Sequence, residues 1–155
     1  MTESTEILAR AIHEDYVRRQ REQGTPPEDN PSMVGWDALA ETLRRSNRDQ
    51  AADIGRKLQA VGCEMAASSP GEGEPFEFTL EEVELLARME HERWWRDREA
   101  DGWTFGPVKD VEKKTSPYLV PYDELTEDVK EMDRDAVRGI PSFLAEVGFV
   151  VVRIR

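Results

Sequence analysis

Leu8-Ala9-Arg10-Ala11-Ile12-His13-Glu14 returns as Leu86-Ala87-Arg88-Met89-Glu90-His91-Glu92, and this recurrence decides how the rest of the chain is read. Set 78 positions apart, residues 8–24 and 86–102 agree at seven of 17 positions: Leu8, Ala9, Arg10, His13, Glu14, Arg18 and Gly24. Tyr16 faces Trp94. After a gap of eight, residues 30–62 and 116–148 agree at eleven of 33, among them Pro31, Val34, Asp37, Leu39, Glu41, Arg48, Ile54 and Gly62. Unrelated segments would coincide at about three of these 50 positions, whereas 18 agree, so one unit is written twice.

Each half is too short to bury a comfortable core alone, which predicts a single domain over 1–155 with pseudo-twofold symmetry and a core shared by both repeats. The repeats are read as about 5–67 and 79–155, joined by a linker at about 68–78 that contains Ser68-Ser69-Pro70-Gly71-Glu72-Gly73. The first helix of each copy follows from its apolar stripe. Leu8, Ala9, Ile12 and Tyr16 share one face of a helix from about Thr5 to Gln23, ended by Gly24; Val83, Leu86, Ala87 and Trp94 do so in the second copy. That second helix opens on the capping box Thr79-Leu80-Glu81-Glu82 and should stop at Asp101-Gly102. A second helix follows in each copy, capped by Asp37 in the first and by Asp123 or Thr126 in the second, with a break near Gly139-Ile140-Pro141. Phe149 to Ile154, rich in β-branched residues, reads as a strand. Its repeat counterpart, Cys63 to Ala66, should pair with it as a small antiparallel ribbon. The expected class is mainly α, with about two helices per repeat and that ribbon.

Composition narrows function. A net charge of −12 argues against a nucleic-acid partner, because phosphate neutralisation needs a basic surface. No apolar run approaches a membrane span and the start lacks a signal-peptide pattern, so a cytoplasmic protein without membrane insertion is expected. The single cysteine, Cys63, has no thiol companion for a disulfide or a structural zinc. His13 and His91 repeat with the fold and lack the further ligands of a metal site, so no metal and no cofactor are expected. No nucleophile elbow, phosphate-binding Gly-rich loop or Cys/His set appears, and the chain is read as non-enzymatic.

The copies inform most where they differ. Between Gly102 and Ser116 the second copy holds eight extra residues, including Trp103, Phe105, Lys109, Lys113 and Lys114. Aromatics beside cations suit a flat anionic ligand, although Trp103 and Phe105 would equally anchor a long loop. Glu90 lies about 40° from Leu86 on the apolar stripe, where the first copy has Ile12, and so needs a cation or a pocket. Arg93, Arg134 or Lys114 would serve. Arg48 and Arg134 recur at one position, which points to bridging between elements, for example to Glu14 and Glu92.

These motifs together resemble the ryanodine-receptor repeat (RyR) domain, a tandem module of ryanodine receptors and of bacterial and phage proteins. The residues that carry the resemblance are His91, Trp94, Gly102-Trp103-Thr104-Phe105-Gly106, Lys114, Pro117-Tyr118-Leu119-Val120-Pro121-Tyr122 and Asp133-Arg134. It spans about residues 80–150 strongly, and residues 6–63 look like a more degenerate partner repeat without the Gly-Trp loop. The resemblance implies a helical two-copy module that senses or assembles and supplies no known reaction. Two functions stay open: a sensor of a nucleotide-like small molecule using Glu90, Trp94, Trp103, Phe105, Lys114, Tyr122 and Arg134, or a module that docks a protein partner or forms a homo-oligomer.

Overall fold

The computed structural model describes residues 3–68 and 76–154, so Ser69 to Pro75 of the expected linker lie outside the described residues. The first repeat contributes α1 (Glu3–Glu22), α2 (Glu41–Ala52), α3 (Ile54–Ala60) and β1 (Cys63–Ala67). The second contributes α4 (Leu80–Ala100), the short strands β2 (Thr104–Phe105) and β3 (Thr115–Ser116), α5 (Glu127–Arg138), α6 (Ile140–Glu146) and β4 (Phe149–Arg153). From α2 onward each element recurs 86 positions later with the same length: α2 with α5, α3 with α6, and β1 with β4. The fold is mainly α, as the duplicated stripes imply, and among the described residues the second helical segment of each repeat is divided in two.

The extra helix comes from a break that the second copy announces with Pro141 and the first copy makes without proline, at Asp53. What fills the break differs. In the first copy Asp53 reaches the buried Lys57 ammonium at 3.5 Å. In the second, Gly139 and Phe143 hold those positions, and a Cβ on Gly139 would come within 2.6 Å of the Phe143 ring. An ion pair and a glycine–aromatic contact are thus alternative solutions to one packing problem.

Helix ends follow local chemistry. Thr79 and Glu82 exchange both hydrogen bonds of a capping box at α4. Gly24 and Gly102 close α1 and α4 with φ of 82° and 89°, a region that disfavours a side chain. Thr126 Oγ1 accepts from the Val129 amide at the start of α5. Asp37 does not cap α2: it sits in a 3₁₀ turn, Trp36–Ala38, and α2 begins after Ala40 without a side-chain cap.

The chain divides into two compact units, Met1–Glu77 with Gly139–Arg155, and Phe78–Arg138. The first is built from both repeats, since α6 and β4 of the second copy join α1, α2, α3 and β1. Its ribbon pairs β1 antiparallel to β4, from Cys63 opposite Arg153 to Ala67 opposite Phe149. Met65 and Val151, equivalent in the two repeats, face each other at its centre, so the pairing is itself twofold. Leu8, Ala9, Ile12, Ile54, Leu58, Phe143 and Leu144 are buried in this unit. The second unit packs α4 on α5, with Ala87, Tyr122 and Leu125 as a buried cluster flanked by Val120 and Val129. Tyr16 and Trp94 are only half-buried, short of the core positions that the stripe gives them. No helix among the described residues is long and apolar enough to cross a membrane.

Candidate functional site

One polar network occurs twice. In the first copy Arg48 donates to Glu6 at 2.7 and 3.2 Å and to Glu41 at 2.8 Å, while its guanidinium lies 5.6 Å from the Trp36 ring centre. In the second, Arg134 donates to Glu84 at 2.9 and 3.2 Å and to Glu127 at 2.9 Å. Tyr122, the counterpart of Trp36, donates its hydroxyl to Glu84 at 2.8 Å. His13 Nε2 donates to Val34 O and His91 Nε2 to Val120 O, each at 2.6 Å, tying the first helix of each repeat to the loop before its 3₁₀ turn, Trp36–Ala38 in one and Tyr122–Glu124 in the other. The Arg48 and Arg134 hydrogen bonds hold Glu6, Glu41, Glu84 and Glu127 below the usual carboxylate range. Burial, then Glu84, pushes the Tyr122 phenol well up.

The recurring arginines therefore bridge elements as expected, but to Glu6 and Glu84 rather than to Glu14 and Glu92, which are exposed. Glu6 and Glu84 are also 78 positions apart, just ahead of the recurring stretch, and that was the available signal.

The remaining candidates gather along the C-terminal half of α4 and the loop after it. Glu90 is buried and accepts two bonds from Arg93, at 2.9 and 2.8 Å; Arg93 also reaches Asp97 at 2.5 Å. Lys114 turns back on the end of α4, donating to Asp101 O at 2.7 Å. Its φ of 55° marks the turn that makes this reach. Trp94 stacks on His91 with ring centres 5.6 Å apart. The Trp103 indole donates to Asp101 at 3.3 Å, and Phe105 is 60% exposed.

The residue that connects this face is Arg98, which the sequence reading passed over. Its guanidinium lies 5.4 Å from the Trp94 ring centre and 5.8 Å from that of Trp103. Burial, then Arg93, lowers its pKa. Burial also lowers that of Lys109, with Arg98 as the second cause, although Lys109 is exposed by area. Among the described residues neither cation has a carboxylate within ion-pair distance, whereas Arg93, Lys114 and Arg134 do.

The loop holding Lys109 is pinned by its own backbone. Thr104 N–H donates to Lys114 O, Gly106 N–H to Ser116 O, and the Thr115 hydroxyl to Val108 O. A Cβ on Gly106 would meet Thr115 Cβ at 2.8 Å, so only glycine permits this approach. Among the described residues no cluster of three or more His, Cys, Asp or Glu could hold a metal ion. Residues 77–153, which include this whole face, match the model of the RyR domain.

Proposed function

Through residues 77–153 the chain belongs to the RyR domain family, and on that premise we propose that it is a non-catalytic recognition module for a small, anionic, nucleotide-like ligand. The ligand's charge pairs with Arg98 and Lys109, and its flat group lies on Trp103 with Phe105 at the rim. What supports this reading above all is Arg98 between two tryptophans, which like Lys109 has no carboxylate within ion-pair distance among the described residues, in a protein of net charge −12. An unpaired, partly desolvated cation is costly unless something anionic joins it. Of the residues named from sequence, Trp94, Trp103 and Phe105 fit this site. Glu90 and Lys114 are engaged within the protein on the same half of α4 and its loop, whereas Tyr122 and Arg134 belong to the separate network around Glu84.

A second reading has one observation in its favour. Phe105, Val108 and Val111 are 60%, 68% and 59% exposed on the same pinned loop, an apolar display suited to a protein partner.

A thermal-shift screen of the full chain against mono- and dinucleotides separates the two. The expected result is a stabilising shift, since a ligand at about 100 times its Kd adds about 2.7 kcal/mol, and its loss in Trp103→Ala. Stacking on an indole contributes about 1–3 kcal/mol. No shift with any nucleotide, or the same shift in Trp103→Ala, would remove the ligand from this face.

A further inference from the structure

We propose that the outer edge of β1, with the apolar groove beside it, docks an extended peptide that carries one large apolar side chain. This site lies in the other compact unit and does not depend on the ligand reading above.

Two observations meet there. The first is the hydrogen-bond phase of the ribbon. Ile154 N–H donates to Gly62 O at 2.8 Å and Ser68 N–H to Gly148 O at 2.9 Å, so the even-numbered residues of β1 bond across to β4. In an antiparallel pair the residues between them turn their N–H and C=O outward. Those are Met65 and Ala67, both exposed, and among the described residues no backbone group meets them on that side. Unpaired strand groups are a template for one more strand.

The second is a groove of about 280 Å³ lined by Leu8, Ala51, Ala52, Gly55, Met65 and Phe149 among others. An apolar cavity of about 150 Å³ binds benzene, so this one accommodates a phenylalanine or leucine side chain. It is open because its walls are small. Where the first repeat has Ala51, Ala52 and Gly55, the second has Val137, Arg138 and Pro141, and a Cβ added at Gly55 meets nothing within 4 Å. An open strand edge recognises extended backbone and an adjoining pocket selects a side chain, which together define strand addition.

The test is NMR of the isotope-labelled full chain titrated with the blocked peptide acetyl-Thr-Val-Phe-Val-Thr-amide. Expected are saturable shifts at the Met65 and Ala67 amides and the Met65 methyl, at least about tenfold weaker for the peptide with Ala in place of Phe. Gly55→Leu fills the groove, and Ala67→Pro deletes an outward N–H that the ribbon does not use; both should keep the fold and lose the response. If Ala67→Pro does not fold, Gly55→Leu decides. Absence of shifts at millimolar peptide, equal binding of the two peptides, or retained binding in Gly55→Leu would overturn the proposal. So would Met65 and Ala67 signals that move with protein concentration alone, because a second copy would then occupy the edge.

Discussion

At the end of its first helix each repeat faces the same problem and solves it differently. In the first copy Asn30 donates to the Tyr16 hydroxyl at 2.8 Å and to Gln20 at 3.4 Å, so the polar groups there satisfy one another. In the second, Trp94 and Arg98 stand where Tyr16 and Gln20 stood, and Ser116 replaces Asn30. The neutral, internally closed arrangement has become an aromatic pair around a cation, beside an inserted loop that supplies another. Meanwhile the Arg48 and Arg134 networks stay alike. Duplication thus separates the residues that hold the fold, which recur, from those on which only one repeat spends polar groups.

The largest expected effect lies at the buried Glu90–Arg93 pair, in whose place the first repeat has Ile12 and Asp15. Arg93→Met leaves the buried Glu90 carboxylate without its cation, and urea unfolding should report a loss of about 3–5 kcal/mol. Glu90→Ile with Arg93→Met installs the apolar residue that the first copy has as Ile12, and should recover most of that loss because the carboxylate left behind, Asp97, is partly solvated whereas Glu90 is buried. A double variant as unstable as the single one would mean that the pair does more than satisfy itself.

A smaller effect, and an equal one in both copies, is expected from Arg48→Met and Arg134→Met. Their carboxylate partners are a third or more exposed, so solvent screens each network and its loss should cost much less than that of the buried pair. Glu6 and Glu84 have lowered pKa values in the folded chain. Their stabilisation is therefore present at neutral pH and is lost as the pH falls through the carboxylate range. Each variant should unfold with a shallower acid dependence than the parent chain. A steep loss in one copy only would break the equivalence.

The sequence made the recurring half of this picture legible and hid much of the rest. Helix spans and the antiparallel ribbon follow from stripes, caps and β-branched runs. The break at Asp53 was not readable, since nothing around it matches the Pro141 signal, and the burial of Lys57 shows only in the structure. Arg98 escaped notice because an arginine in the last turn of a helix is ordinary there, where it complements the helix dipole. Its position between two indoles depends on how the loop from Gly102 folds back, which is tertiary information. Glu90, Tyr122 and Arg134 read from the sequence as ligand-binding candidates, and only the structure gives their bonds within the chain, to Arg93, Glu84 and Glu127.

The central claim, that the second repeat alone carries an anion-recognising face, is tested most directly at the side chains of the arginines. The full chain, labelled for detection of arginine side chains, is titrated with ADP beside Arg98→Gln, which restores the first copy's residue and should change stability by less than about 0.5 kcal/mol. The account predicts a saturable shift of the Arg98 resonance, no shift at Arg48 or Arg134, and no binding in Arg98→Gln. Shifts at Arg134 and Arg48 alike, or binding undiminished in Arg98→Gln, would contradict it.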